Sequence, residues 1–96
     1  MRTKARVDGN HAEVVSALRK IGCSVQDLSR VGRGCPDLLV GWRGINVAME
    51  VKDGSKPPSE RKLTKSQKAW HVDWEGLCCV VNSPTEAIQY MQEVTS

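Results

Sequence analysis

Two acidic residues and a lysine stand at the ends of two neighbouring apolar segments. Asp37 opens the segment 37–42, whereas Glu50 and Lys52 close the segment 45–52. Two carboxylates held close together repel each other unless a cation lies between them, and hard oxygen ligands with room for water suit Mg²⁺. A metal held there can polarise a phosphate and lower the pKa of a bound water, while a lysine ammonium stabilises the developing negative charge. This set of residues therefore suits the hydrolysis of phosphodiesters.

The spacing of the two segments predicts a β-hairpin that brings these residues together. If Arg43-Gly44 forms a two-residue turn, Trp42 pairs with Ile45, and counting outward pairs Asp37 with Glu50. Directly opposite residues share a face of a sheet, as do residues two apart on one strand. The other face is then apolar and is expected to be core: Leu38, Val40, Val47, Met49 and Val51. A longer turn would change this register, and a surface ion pair between Lys52 and Glu50 is the plainer alternative.

The remaining elements follow from periodicity and from residues that start or end helices. A helix is expected from about Asn10 to Ile21, with Asn10 and Glu13 as a capping box and Gly22 at its end. A short strand over 23–28 precedes the hairpin, and a loop over 53–63 follows it. A second helix starts at Thr64, with Gln67 at the capping-box position, and runs to about Trp74. The apolar run 77–81 predicts a buried strand, and Ser83-Pro84 begins a last helix with an apolar face of Ala87, Ile88, Met91 and Val94.

Three segments together resemble a known nuclease family. They are Gly34-Cys-Pro-Asp37, Met49-Glu-Val-Lys52 and Leu63-Thr-Lys-Ser-Gln67, and they look like the PD-(D/E)XK superfamily and, within it, the VRR-NUC family. The resemblance spans about residues 10 to 90. It implies a single α/β domain over residues 1–96, with an αβββαβα restriction-endonuclease-like core and a mixed central sheet flanked by helices.

The same resemblance assigns roles to individual residues. It implies that Asp37 and Glu50 bind Mg²⁺ or Mn²⁺, that Lys52 is catalytic, and that Gln67 lies near the site. The carbonyl of Val51 often completes such a metal shell, and Glu13 is the candidate for a further acidic ligand on the first helix. No organic cofactor is expected. Glu13 and Gln67 have an equally simple alternative, because each can serve only as a helix cap.

Basic residues near these segments are candidates for binding phosphates. They are Arg33, Lys56, Arg61, Lys65 and Lys68. Such contacts carry no sequence information, so cutting is expected to depend on DNA structure, with branched DNA as the substrate. Small stand-alone members of the family resemble Holliday junction resolvases, which act as two-fold dimers on four-way junctions. A homodimer is therefore expected. Trp70 and Trp74 can stack on bases, but their helical spacing favours core or dimer contacts, and His11 is expected at the surface.

Composition limits the protein class without naming a function. The 96 residues carry a net charge of +3, too small an excess to indicate nucleic acid by itself. The N-terminus leads into no apolar run, no stretch has the length of a membrane span, and the spacing of the four cysteines matches no zinc site. We expect reduced thiols in a cytoplasmic protein of a bacterium or a phage-infected cell. A flap or nicking nuclease, a catalytically silent DNA-binding module and, more distantly, a metal-free interaction domain stay open as alternatives.

Overall fold

A computed structural model describes residues 8–96 of the chain. Residues 1–7 lie outside this range, and with them the N-terminal segment that the sequence predicts to lead into no apolar run. The elements are α1 (His11–Lys20), β1 (Ser24–Asp27), β2 (Leu38–Trp42), β3 (Ile45–Val51), a 3-10 helix (Pro58–Glu60), α2 (Lys65–Asp73), β4 (Cys78–Val81) and α3 (Pro84–Val94). The protein is thus a small α/β domain with a mixed four-stranded sheet and three α-helices, as predicted.

The hairpin has the register that residue counting predicts. Trp42 pairs with Ile45, and Leu38 pairs with Met49. The turn residues Arg43 and Gly44 both have positive φ angles, of 53° and 81°, which is what the two-residue type I′ turn requires. One step beyond the last pair of the ladder, Asp37 therefore lies opposite Glu50.

One face of the sheet carries the hydrophobic core. The strands are ordered β1-β2-β3-β4, with β4 parallel to β3 and the other pairs antiparallel. Helices α1 and α3 pack on each other and on this face. Their buried side chains meet the alternate residues of the hairpin, and the fully buried members are Val14, Leu18, Leu38, Val40, Val47, Met49, Val51, Ala87 and Met91. The core predicted for the hairpin is confirmed.

The opposite face of the sheet is only partly covered. Glu50 pairs with Val80 of β4, and Ala48 pairs with Leu39 of β2. Glu50 is buried, but Leu39 and Val80 are 40% and 37% exposed. The prediction of a buried strand over 77–81 is wrong for Leu77 and Val80, because only the α1–α3 side of the edge strand β4 is covered.

The caps of the helices differ from the prediction in one case. Thr64 and Gln67 form the expected capping box of α2, and the Ser83 side chain accepts from the backbone of Glu86 at the start of α3. Asn10 precedes α1 as its N-cap residue, but its side chain makes no capping hydrogen bond. The predicted capping box of Asn10 with Glu13 is therefore wrong.

The cysteines and tryptophans occupy distinct environments. All four cysteines are unpaired thiols, and Cys23 belongs to the core. Trp70 and Trp74 stack on each other with ring centroids 4.6 Å apart, and Trp74 is 49% exposed. The expectation was core or dimer contacts for this tryptophan pair, and Trp74 does not belong to the core.

Candidate active site

Asp37 is held between a glycine loop and the end of β3. The loop residues Gly32, Arg33 and Gly34 all have positive φ angles, so the chain turns sharply before Pro36. A Cβ atom on Gly34 would overlap the carbonyl oxygen of Ser66, which shows how closely the loop approaches the start of α2. Asp37 then accepts a hydrogen bond of 2.9 Å through Oδ2 from the backbone N–H of Val51. The carboxylate is thereby fixed beside the strand that carries Glu50.

Glu50 and Lys52 lie on the same side of β3, as the period of a strand requires. Both side chains are buried, with relative exposures of 2% and 8%. The Lys52 ammonium lies 3.8 Å from Glu50 Oε2. This burial excludes the alternative that Lys52 and Glu50 form an ion pair at the protein surface. A buried ion pair loses its hydration, so Lys52 and Glu50 need further polar contacts to offset that loss.

Gln67 supplies those contacts from the first turn of α2. Its Oε1 accepts from Lys52 Nζ at 3.0 Å and from the backbone N–H of Thr64 at 2.9 Å. Its Nε2 donates to Glu50 Oε2 at 3.2 Å. The sequence left open whether Gln67 caps the helix or belongs to the site, and in this geometry one side chain both caps α2 and contacts Lys52 and Glu50.

Burial disfavours the charged form of both carboxyls, and the charge of Asp37 adds to this effect at Glu50. Burial, followed by the charge of Asp37, raises the pKa of Glu50 to about 8. Burial also raises the pKa of Asp37, against the lowering effect of the Val51 hydrogen bond. Glu50 Oε1 is buried and has no hydrogen-bond partner among the described residues. A pocket with two hard oxygen ligands and one unused lone-pair site fits a divalent cation, which would stabilise both carboxylates in their charged form.

Glu13 is not brought to these carboxylates. It is exposed and lines a different groove, together with Asp53 and Arg61. Within residues 8–96, no three His, Cys, Asp or Glu side chains are grouped closely enough to hold a metal ion. Glu13 as a metal ligand stays a prediction that this arrangement does not support, and Asp37, Glu50 and the Val51 carbonyl are the candidate ligands that the structure brings together.

The N-terminus of α1 reaches the site through Asn10. Its Nδ2 donates to the backbone oxygens of Lys52 and Asn82, both at 3.1 Å. Asn10 therefore fastens α1 to the end of β3 that carries the catalytic candidates. The sequence pattern predicts a capping role for Asn10. Only the tertiary structure shows its hydrogen bonds to the distant residues Lys52 and Asn82.

Three residues near the carboxyls were missed or misplaced by sequence reasoning. His11 is mostly buried, with its Nε2 3.7 Å from Asp27 Oδ2, so the prediction of a surface histidine is wrong. The charge of Asp8 contributes to the raised pKa of Asp37 and Glu50. Burial and then the charges of Glu50 and Asp37 raise the pKa of the Cys35 thiol. The position of Cys35 in Cys35-Pro-Asp37 was the one available signal.

The basic candidates lie around the site rather than in it. Arg33 belongs to the glycine loop and is exposed, and Arg61 donates through Nε to the backbone oxygen of Lys56 at 2.7 Å. Lys65 and Lys68 are exposed on α2, the helix that presents Gln67. These side chains are therefore accessible to a ligand in solution.

No helix in the described part of the chain combines the length and apolar character that crossing a bilayer requires. Comparisons of the chain with protein-family models, with curated proteins and with solved structures gave no match.

Proposed function

We propose that this protein is a Mg²⁺- or Mn²⁺-dependent, structure-selective DNA endonuclease of the PD-(D/E)XK type, related to the VRR-NUC nucleases. The observation that carries the proposal is the buried cluster of Asp37, Glu50 and Lys52, joined by Gln67 through hydrogen bonds to both Glu50 and Lys52. The order of helices and strands agrees with the restriction-endonuclease-like core implied by the resemblance. Two independent features, motif spacing and side-chain geometry, thus support the same chemistry.

Each residue of the cluster has a distinct task in this chemistry. The cation would be held by Asp37, Glu50 and the Val51 carbonyl. When bound, such a cation polarises the phosphate and lowers the pKa of a water molecule. The Lys52 ammonium donates hydrogen bonds to the negative charge that develops on the phosphate oxygens. Gln67 holds the Lys52 ammonium and one oxygen of Glu50 in place, so that neither side chain has to reorganise during the reaction.

The surrounding cations would grip the DNA backbone. Arg33 stands in the loop next to Asp37, and Lys65 and Lys68 lie on the same helix as Gln67. Lys56 and Arg61 lie in the segment between β3 and this helix. Contacts of this kind fix the position of DNA without reading its sequence. They support selection of a DNA shape, with branched DNA and in particular a four-way junction as the substrate.

We further propose that the protein acts as a homodimer in the cytoplasm of a bacterium or a phage-infected cell. A two-fold dimer places two active sites on one symmetric junction. Several large apolar side chains are exposed and available for contact with a second copy: Leu39, Val72, Trp74, Leu77 and Val80. Light scattering at micromolar protein concentration should give twice the chain mass of 10.6 kDa. A monomeric mass would contradict the dimer while leaving the nuclease proposal intact.

A cleavage assay tests the nuclease directly. Fluorescent four-way junctions, flaps, splayed arms and linear duplex are incubated with Mg²⁺, with Mn²⁺ or with EDTA. We expect cleavage of branched substrates in either metal, none in EDTA, and none with Lys52→Ala. If the wild-type protein leaves every substrate intact in both metals, the nuclease proposal is wrong.

A catalytically silent DNA-binding module is the second candidate. Such a module would bind the DNA backbone through exposed cations such as Arg33, Lys65 and Lys68 and would need no metal. Calorimetric titration with Mn²⁺ separates the two candidates, because the nuclease binds the metal and loses that binding in Asp37→Ala. A silent module gives no heat in either protein but still binds DNA.

A further inference from the structure

A groove that the proposed chemistry does not use runs between α1 and the edge strand β1. Its volume is about 610 Å³. Helix α1 contributes one wall and β1 the other. The residues that line the groove include His11, Val15, Arg19, Lys20, Val25 and Asp27. The groove is distinct from the basic surface formed by the glycine loop and α2.

One end of the groove lies at the end of the sheet that carries Asp37. Leu38, which directly follows Asp37, is also part of its lining. The backbone N–H of Leu28 donates to the carbonyl oxygen of Asp37 at 2.7 Å, so the end of β1 lies against Asp37. His11 at the start of α1 faces Asp27 at this same end. The groove and the site therefore lie at the same end of the sheet, on opposite faces of β2.

The charge of the groove suits a polyanion. Arg19 and Lys20 form the basic last turn of α1, and Arg19 Nη2 donates to the backbone oxygen of Val25 at 3.1 Å, which holds the guanidinium across the groove. Among the described lining residues, Asp27 is the acidic one. Its carboxylate already accepts from the backbone N–H of Ser29 and faces His11.

The size and floor of the groove favour one strand over a duplex. Its volume falls within the range of about 300–1,000 Å³ that small-ligand pockets occupy. Val15 and Val25 are half-buried and offer apolar surface to the faces of unpaired bases. From His11 to Lys20 the helix rises about 13 Å, which is about four nucleotides of one strand at duplex spacing.

We propose that this groove binds an unpaired stretch of one DNA strand beside the scissile phosphate, with bases against Val15 and Val25 and phosphates against Arg19 and Lys20. The location of the scissile phosphate rests on the proposed nuclease function. The proposal narrows the substrate to DNA in which base pairing is interrupted next to the cut, as it is at a branch point.

The test compares binding of a splayed arm, which has unpaired tails, with binding of a blunt duplex of the same sequence. Fluorescence anisotropy in EDTA measures binding without cleavage. Arg19→Gln/Lys20→Gln removes both cations of the groove. Arg43→Gln removes one cation and is the charge-matched control for the single variant Lys20→Gln, because Arg43 is exposed, lies over the Trp42 ring and is outside the groove.

We expect the wild type and Arg43→Gln to bind the splayed arm more tightly than the duplex, and the double variant to lose this preference. The dependence of log affinity on log salt should become shallower by about 0.7 for each phosphate of a single strand that the variant no longer neutralises.

The single variant Lys20→Gln, at an exposed helix position, should show half of that change. It provides the test if circular dichroism shows that the double variant is misfolded. A double variant that keeps the tail preference and the wild-type salt slope overturns the proposal. Absence of cleavage in the nuclease assay does not, because binding is measured without metal.

Discussion

The backbone N–H of Val51 donates a hydrogen bond of 2.9 Å to Asp37 Oδ2. This bond connects the first candidate carboxylate to the strand that carries the second. The separation between Asp37 and Glu50 is therefore set by paired backbone rather than by a free loop. Substitutions of the charged groups can thus be interpreted as changes in chemistry, provided that the hairpin stays intact.

Lys52→Met should lose cleavage while still binding DNA. The change removes the ammonium that we propose to contact the phosphate but keeps an unbranched side chain in the buried position. Loss of one such donor costs about 10²–10³-fold in kcat. Single-turnover cleavage of a four-way junction measures it, with the exposed Lys62→Met as the matched control. Equal loss in both variants would mean that general positive charge, not Lys52 in particular, is needed.

Gln67→Ala and Thr64→Ala should separate the capping role of Gln67 from its role in the site. Both variants lose the capping box, which costs about 1 kcal/mol of stability. Only Gln67→Ala also releases Lys52 and Glu50, and removal of such a supporting hydrogen bond lowers activity by about 10–100-fold. Urea unfolding and kcat are measured for each. Equal kcat in the two variants would limit Gln67 to the cap.

Gly34→Ala should disrupt the site from a distance. The φ angle of +82° and the overlap with Ser66 both oppose a Cβ atom, so α2 and Gln67 must shift. Gly32→Ala is the control, because Gly32 has a similar φ of +78° but no atom within 4 Å of the added Cβ. Backbone strain of about 1–3 kcal/mol is common to both. Loss of cleavage is expected for Gly34→Ala alone, at conditions where both variants are folded.

The metal-free protein should become less stable as the pH rises from about 4.5 to 8. The pKa of Glu50 is raised from 4.5 to about 8, so within this window the folded state holds a proton that the unfolded state has released. Stability is lost as the pH rises and levels off above the folded-state pKa. Glu50→Gln removes this penalty and should be the more stable protein above pH 8, by on the order of a few kcal/mol. Urea unfolding in EDTA on both sides of the window measures the difference, and the exposed Glu13→Gln should show none.

Mn²⁺ should raise the melting temperature through the same two carboxylates. A ligand at a hundredfold excess over its Kd stabilises the folded state by about 2.7 kcal/mol. Asp37→Asn should lose most of this shift, whereas Asp53→Asn, which lies in the groove beside Glu13, should keep it. A shift that is the same in both variants would place the metal elsewhere.

The hairpin was accessible to prediction because its information is local. Gly44 and the alternation of Leu38, Val40, Val47 and Met49 define the turn, the register and the faces, and these in turn place Asp37 opposite Glu50. The capping box at Thr64 and Gln67 is local for the same reason, since it depends on a spacing of three residues.

What could not be predicted depends on distant parts of the chain. Asn10 bonds to backbone oxygens of Lys52 and Asn82, and no pattern around Asn10 indicates either partner. An apolar run such as 77–81 does not reveal whether one or both of its faces will be covered. His11 is buried because β1 places Asp27 beside it, which requires knowledge of how α1 packs.

Strand β3 divides its residues between two purposes. Val47, Met49 and Val51 fill the core, while Glu50 between them points to the site and the site continues to Lys52. Under the proposed function, selection for folding and selection for catalysis act on alternate positions of one strand. A descendant of this protein can lose Glu50 or Lys52 and keep its core unchanged, so inactive DNA-binding relatives are an expected product of its evolution.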